Sequence, residues 1–143
     1  MSLFSSLSVS ASGMSAQRTR AELLVENLAN SETTRTEQGG PYRRKDAIFS
    51  SVDLAGDAFT SVLRDVSGTG VEVSEIAVDQ RDPEKRYLPG HPDADKDGYV
   101  AFPRMSPAED MVDLMSASRG YHANIAAMSA VKDMIQKSID LLR

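Results

Sequence analysis

The sequence of 143 residues contains no cysteine and no tryptophan, and only four tyrosines and four phenylalanines. Without cysteine the chain forms no disulfide and has no thiolate to act as nucleophile or metal ligand. No stretch approaches the ~18 consecutive apolar residues of a membrane span, so we expect no membrane insertion. The N-terminus MSLFSSLSVSASGM lacks the basic start of a secretory signal, and serines interrupt its apolar positions. If the protein works outside the cytoplasm, we expect it to leave by a route that removes no leader.

Positive charge is also scarce, and the formal net charge is -5. The acidic excess lies in the middle, because residues 1–46 carry +1, residues 47–105 carry -5 and residues 106–143 carry -1. The basic run Arg43-Arg44-Lys45 is too short to attract nucleic acid, and a run of this kind is usually solvated surface. The sequence has no phosphate loop, HExxH, GxSxG or dinucleotide fingerprint. It therefore predicts no catalytic or metal site, no cofactor, no nucleic-acid partner and no enzyme.

The two ends of the chain are built alike. Residues 3–28 and 107–142 carry apolar side chains at helical spacing, whereas the other prolines and most glycines lie between them. Short apolar runs in the middle, with Tyr99 to Phe102 as one strand, indicate a β-rich segment. In Val71 to Val78 the apolar phase changes, which predicts a strand with a bulge near Ser74-Glu75. The sequence thus predicts an α+β fold, divided at 1–30, 31–105 and 106–143, with coiled-coil-like terminal helices and a small β-rich middle domain.

The first helix has a narrow apolar stripe. It follows steps of four and three through Leu3, Leu7, Ala11, Met14, Arg18, Ala21, Val25 and Leu28, and only Arg18 breaks it. Gly13 weakens this helix by about 1 kcal/mol relative to alanine, so its stability must come from partners. The loop-forming run SETTRTEQGG predicts that it ends near Asn30.

The last helix has stronger signals. Ser106 is a good N-cap, Pro107 suits the first position, and Glu109 and Asp110 favour the positive N-terminal end. One row recurs every seven residues through Leu114, Tyr121, Met128, Ile135 and Leu142. A companion row follows Met111, Ser118, Ile125, Lys132 and Ile139, of which Ser118 and Lys132 are polar.

Two narrow apolar stripes at opposite ends of a chain can be buried only on each other or on neighbouring copies. This pattern favours a subunit of an assembly, and an ordinary two-helix core of a small globular protein is the alternative. The predicted assembly interface comprises Leu7, Met14, Ala21, Val25, Leu28, Met111, Leu114, Tyr121, Ile125, Met128, Ile135, Ile139 and Leu142.

The run Asp93-Ala94-Asp95-Lys96-Asp97-Gly98 matches the start of a calcium loop. The twelfth position of such a loop should hold a bidentate glutamate, but here it is Arg104, a cation. We therefore expect the aspartates to form an Asx-type turn in which Gly98 supplies positive φ. His91, beside these aspartates, lacks a distant partner ligand and is expected on the surface of a proline-rich turn.

Two motifs identify a family. Residues 27–34, NLANSETT, follow the first helix, and residues 89–100 read PGHPDADKDGYV. With residues 40–44, GPYRR, and residues 116–124 of the last helix, they resemble the bacterial flagellar axial proteins of the rod and hook along nearly the whole chain. The sequence departs from the family at Val25-Glu26, Gly120 and His122. The motif residues are Asn27, Ala29, Asn30, Thr33, Gly90, His91, Pro92, Asp93, Asp95 and Gly98.

The resemblance implies a structural subunit of the proximal rod, which transmits torque from the membrane ring to the hook. It implies export through the flagellar type III apparatus without removal of a signal peptide, and polymerisation in the periplasm with other copies and other rod proteins. The terminal helices would form an inner polymerisation domain and residues 31–105 an outer domain. Another rod subunit of the family, a calcium-dependent module and a soluble helical adaptor are the alternatives.

Overall fold

The computed structural model describes residues 3–53 and 69–141. Its elements, in chain order, are α1 (Leu3–Ala29), β1 (Lys45–Asp53), β2 (Thr69–Val78), β3 (Glu84–Tyr87), β4 (Tyr99–Phe102) and α2 (Pro107–Asp140). Two long terminal helices flank a small antiparallel strand region, which confirms the predicted α+β fold. No helix in these two described ranges combines the length and the apolarity that crossing a membrane requires. The division into inner and outer domains stays a prediction.

The ends of both helices follow local sequence signals. At the start of α2, Ser106 is extended and its side chain accepts a bond from the backbone N–H of Glu109 at 3.5 Å, while Pro107 occupies the first turn. At the end of α1, the Asn30 backbone N–H donates to the carbonyls of Glu26 and Asn27, both at 3.1 Å. The predicted N-cap of α2 and the predicted end of α1 are thus confirmed.

The two helices pack antiparallel at a glycine-lined contact. A Cβ built on Gly13 would lie 3.0 Å from the amide of Asn124, and one built on Gly120 would lie 3.2 Å from the side chain of Gln17. Successive residues of α1 contact residues of α2 with decreasing numbers, so the two helices run antiparallel. Gly13 weakens α1 locally, but it lets the helix axes approach closely, as coiled-coil-like packing requires.

The inward side of α1 lies one residue earlier than the predicted apolar stripe. Buried or tertiary-bonded positions follow steps of three and four through Ser10, Gly13, Gln17, Arg20, Leu24 and Asn27. One residue is about 100° around a helix, so part of the predicted stripe faces outward. Arg18 is exposed, and Val25 keeps 52% of its surface exposed. The hydrophobic pattern mispredicts the inward side of α1 because small and polar side chains, together with Leu24, make the intrachain contact.

On α2 the inward side combines two rows. Leu114, Tyr121, Met128 and Ile135, the predicted heptad row, are half-buried. The second inward row is buried and lies one residue before the predicted companion row; it comprises Asp110, Ala117 and Val131.

Within the described residues, the middle of the chain forms two antiparallel strand pairs, the hairpins β1–β2 and β3–β4. In β1–β2, Ile48 pairs with Glu75 and Phe49 pairs with Val73, which leaves Ser74 as an extra residue. Ser74 donates its hydroxyl to the Ile48 carbonyl at 3.2 Å, and the predicted bulge is confirmed.

The second hairpin pairs β3 with β4, from Glu84 opposite Phe102 to Tyr87 opposite Tyr99. Its small core holds Val100, which is 1% exposed, and Phe102, which is 8% exposed. The predicted strand from Tyr99 to Phe102 is confirmed. The strands β1 and β3 were not predicted.

Candidate assembly surface and its junction

The contact between the helices is polar at its centre. The side chains that meet here include the amide of Gln17 and a partly exposed ion pair, in which Arg20 Nη2 donates to Asp113 Oδ1 at 3.2 Å. Gln17 Oε1 is buried and has no hydrogen-bond partner within residues 3–53 and 69–141. Ala16 and Ala117 are the small buried side chains on the two helices. These small and polar contacts contribute little apolar burial of their own.

Large apolar side chains instead point away from the chain. Phe4 is 75% exposed, Val112 is 61% exposed and Met115 is 54% exposed. The further exposed apolar residues at the two chain ends are Leu3, Val25, Met111, Ile125, Met134, Ile139 and Leu141. The two helices therefore leave a large share of their apolar surface facing outward, although Leu23, Leu24 and Val131 are buried.

None of the predicted interface residues that the structure describes is fully buried. The half-buried members are Leu7, Met14, Ala21, Leu28, Leu114, Tyr121, Met128 and Ile135. The exposed members are Val25, Met111, Ile125 and Ile139. Leu142 lies outside the described residues. The assignment of these residues to an assembly interface stays a prediction.

Three members of the interface set gather at one place. An open groove of about 320 Å³ between the start of α1 and the second half of α2 is lined by Leu7, Met128 and Ile135, with Ser129, Lys132 and Gln136 at its rim. Its apolar floor and polar rim suit contact with another protein segment.

The segment Tyr42 to Lys45 forms a junction between the helices and the first hairpin. Asn27 is completely buried and makes three hydrogen bonds there. Its Nδ2 donates to the Lys45 carbonyl at 2.8 Å, while its Oδ1 accepts from the Lys45 N–H at 3.0 Å and from the Tyr42 hydroxyl at 2.9 Å. Burial, with the nearby charge of Glu26, raises the pKa of Tyr42 to about 12.

Arg44 ties the same junction to α2. Its Nε donates to Asp110 Oδ1 at 3.1 Å, and its Nη2 lies 2.9 Å from the same oxygen and 3.3 Å from Asp46 Oδ1. The side chain of Asp110 is 1% exposed, and its Oδ2 has no hydrogen-bond partner in the described part of the chain. Burial raises the pKa of Asp110, and the charge and hydrogen bond of Arg44 oppose that rise.

The basic run Arg43-Arg44-Lys45 is not simply solvated surface, as its sequence indicated. Lys45 pairs with Glu26 on α1, and Arg43 Nη1 donates to the Asp79 carbonyl just after β2 at 3.1 Å. Together with the pairing of Arg44, these contacts join three neighbouring cations to both helices and to the hairpin. The interpretation as solvated surface was wrong because each cation has a partner distant in sequence.

The calcium-like run forms the expected turn. Asp95 Oδ1 accepts the backbone N–H groups of Asp97 at 2.9 Å and Tyr99 at 2.8 Å, and Gly98 has φ +80. Asp93 Oδ2 accepts from the Thr34 hydroxyl at 2.8 Å, so the run is also bonded to the loop after α1. No group of three His, Asp or Glu side chains within the described ranges is placed to hold a metal ion.

The two histidines take part in local contacts. His91 is half-buried, and its Nδ1 accepts the backbone N–H of Asp93 at 3.1 Å. Its ring meets that of Phe102 edge-on, with centroids 6.3 Å apart. His122 is exposed beside Tyr121 on α2.

The NLAN motif residues bond the end of α1 to the following loop. Asn30 Nδ2 donates to the Glu26 carbonyl at 2.9 Å, and its Oδ1 accepts from the Thr33 hydroxyl at 3.1 Å. The Thr33 carbonyl accepts the Tyr42 backbone N–H at 3.0 Å. Of the other motif residues, Ala29, Gly90 and Pro92 are exposed.

Comparison with known proteins identifies the family of the chain. Residues 96–141 match the family model described as flagellar basal body rod FlgEFG protein C-terminal. The chain is 42% identical to the flagellar basal-body rod protein FlgC of Bacillus subtilis, over 99% of both chains. It is 38% identical to FlgC of Borreliella burgdorferi, over 100% of this chain and 99% of the relative, and 37% identical to FlgC of Salmonella typhimurium, over 99% and 98%. The chain belongs to the FlgC family of flagellar basal-body rod proteins, which are structural subunits of the basal body.

Proposed function

We propose that this chain is a subunit of the proximal rod that polymerises through its terminal helices and transmits torque from the membrane ring to the hook. One observation carries the proposal: large apolar side chains of both helices, such as Phe4, Val112 and Met115, point outward, where the chain itself does not bury them. Fully burying one such side chain stabilises a protein by about 1.5–3 kcal/mol. Neighbouring subunits would supply that burial.

The helix pair is suited to a chain that is completed by its neighbours. An isolated helix with little apolar contact is marginal in water. In this chain the inward side of α1 consists largely of Gly13, Gln17 and Arg20, with Leu23 and Leu24 buried near its C-terminal end. Lateral packing in a rod would therefore stabilise the first half of α1 more than the intrachain contacts do.

The same reasoning extends to partners and location. Other copies of the chain and other rod proteins would cover the outward faces, and the membrane ring would hold the base of the rod. We place the subunit in the periplasmic part of the basal body, reached through the flagellar type III export apparatus without cleavage. Mass spectrometry of the chain from purified basal bodies tests this route, since an N-terminus at residue 1 or 2 is expected and a start far inside α1 would contradict it.

The proposal requires packing rather than chemistry. The titratable side chains of the junction, Arg44, Asp46 and Asp110, bond to one another and to neighbouring elements. We propose that the chain is not an enzyme and that these groups hold its shape.

The substitution Met128→Asp tests the assembly surface. It places a charge in the mostly apolar groove, where burial under a neighbouring subunit costs far more than an i, i+4 pair with Lys132 returns. We expect the variant to be absent from rods and unable to restore swimming to a strain that lacks the chain. Met128→Leu keeps the apolar volume and should incorporate normally. Normal swimming of the Met128→Asp strain would remove Met128 from the interface.

A further inference from the structure

We infer that Asn27 is a positioning residue that fixes the direction of the β1–β2 hairpin relative to α1. The mechanical meaning of this inference rests on the proposed rod function. There, load passing between the middle of the chain and its helices would cross this junction. The geometric claim itself concerns the isolated chain.

The chemistry of the Asn27 side chain matches a strand backbone. Its amide donates to the carbonyl and accepts from the N–H of the same residue, Lys45, at 2.8 and 3.0 Å. A neighbouring strand makes the same pair of bonds with an antiparallel partner. The side chain therefore extends the hydrogen bonding of α1 onto the first residue of β1, and a carboxylate at this position would lack the donor.

The junction leaves little freedom for the strand. Asn27 is 0% exposed, and Tyr42, whose hydroxyl uses the remaining acceptor site of Oδ1, is 8% exposed. Water cannot replace the lost partners at so buried a site without rearrangement, so breaking the pair leaves buried backbone groups unsatisfied. Two ion pairs flank these hydrogen bonds. Lys45 pairs with Glu26 of α1, and Arg44 pairs with Asp110 of α2.

A second contact between α1 and the hairpin lies nearer the start of the helix. The Val71 backbone N–H donates to the Ser12 hydroxyl at 3.1 Å, and that hydroxyl donates to the Val9 carbonyl at 2.8 Å. Ser12 and Asn27 are separated by about 22 Å along a helix with a rise of ~1.5 Å per residue. Two contacts this far apart define a direction. The Ser12 contact is exposed, so water can compete for it, and the buried Asn27 contact dominates.

Spin labels measure the direction directly. The chain has no cysteine, so Ser51→Cys on β1 and Val25→Cys on α1 give two unique, exposed attachment sites. Pulsed electron paramagnetic resonance on the full chain should give one narrow distance distribution. Asn27→Ala should broaden it, because all three bonds are lost. Asn27→Asp should broaden it as well, because the donor to the Lys45 carbonyl is lost.

Asn30→Ala is the matched control. Asn30 belongs to the same motif, but its amide bonds locally, to the Glu26 carbonyl in the last turn of α1 and to the Thr33 hydroxyl just after it. The distribution should stay narrow in this variant. A narrow distribution in Asn27→Ala, or equal broadening in Asn30→Ala, would overturn the inference.

Amide hydrogen exchange separates positioning from general stability. In Asn27→Ala, exchange of the Lys45 amide should accelerate roughly tenfold or more, whereas amides at the centre of α2 should change little. Uniform acceleration along the whole chain would mean that Asn27 contributes only to overall stability, which contradicts a positioning role.

Swimming tests the mechanical consequence separately. Asn27→Asp should still enter rods, but its strain should lose speed in a viscous medium more than an Asn30→Ala strain does. Absence of Asn27→Asp from rods would contradict the claim that Asn27 affects how the assembled rod carries load and not whether the subunit assembles. If the unaltered chain fails to restore rods to the deletion strain, the rod function fails while the spin-label result stands.

Discussion

Replacing Arg44 with methionine should strongly destabilise the chain. The side chain of its partner Asp110 is 1% exposed, and Arg44 itself is only 23% exposed, so solvent screens this pair weakly. Removing one member of a buried ion pair typically costs about 3–5 kcal/mol, because the other charge stays buried without a partner. Asp46 and Asp113, also near Arg44, are 50% and 40% exposed, so we take the lower figure of about 3 kcal/mol.

Thermal unfolding followed by circular dichroism measures this loss. About 3 kcal/mol should lower the Tm by roughly 10 °C in a chain of this size. Arg43→Met is the matched control, since Arg43 is exposed and donates to a single carbonyl; about 0.5 kcal/mol is expected. Asp110→Asn in the Arg44→Met background removes the stranded charge and should recover part of the loss.

The pH dependence of the Arg44→Met effect follows from Asp110. Burial already raises the pKa of Asp110 above its ordinary 3.8, and losing Arg44 removes the contributions that lower it. The folded state of the variant therefore takes up a proton more readily than the unfolded state does. The stability deficit of Arg44→Met relative to the unaltered chain should therefore shrink as the pH falls from 7 toward 3.8, the ordinary pKa of an aspartate. An equal deficit at pH 7 and pH 4.5, or a Tm within 2 °C of the unaltered chain, would refute the reasoning.

Three further substitutions test local features. Gly13→Leu should cost about 1–3 kcal/mol despite a gain in helix propensity, because its Cβ meets Asn124 at 3.0 Å; a thermal melt without a lower Tm would contradict the close approach of the helices. Ser106→Ala should cost about 0.5–1 kcal/mol of stability and thereby lower the urea midpoint, and an unchanged midpoint would mean that the 3.5 Å cap is not used. The pKa of Tyr42 is raised from 10.0 to about 12, so its contribution to stability is present below pH 10 and is lost as the pH rises through 12. The stability difference between the unaltered chain and Tyr42→Phe should therefore shrink between pH 9 and pH 12 in urea titrations, and a constant difference would count against the buried phenol.

Local rules predicted the parts of this fold that local forces determine. The cap at Ser106, the bulge at Ser74 and the strand from Tyr99 to Phe102 each depend on a few adjacent residues. The strand β3, with the sequence EKRY, has no apolar alternation and all four residues are exposed. It forms because β4 pairs with it, and sequence periodicity carries no record of that pairing.

The sequence could not identify the inward side of α1. Hydrophobic periodicity assumes that apolar residues are buried within the chain, and here Gly13 and Arg20 make intrachain contacts while Val25 is exposed. Likewise, Arg44 and Asp110 are 66 residues apart, and nothing in their spacing indicates a pair. The resemblance to a family marked Asn27 as a motif residue, but its three hydrogen bonds to Lys45 and Tyr42, which indicate a positioning role, are visible only in the structure. The assembly interface stays a prediction because neighbouring subunits would complete it.

Deletion of the coding sequence in the native bacterium, followed by complementation, tests the central claim most directly. Electron microscopy of purified basal bodies should show membrane rings without rods, with loss of swimming in soft agar. A plasmid carrying the unaltered chain should restore both. Intact rods and normal swimming after the deletion would contradict the proposal that this chain is an essential rod subunit.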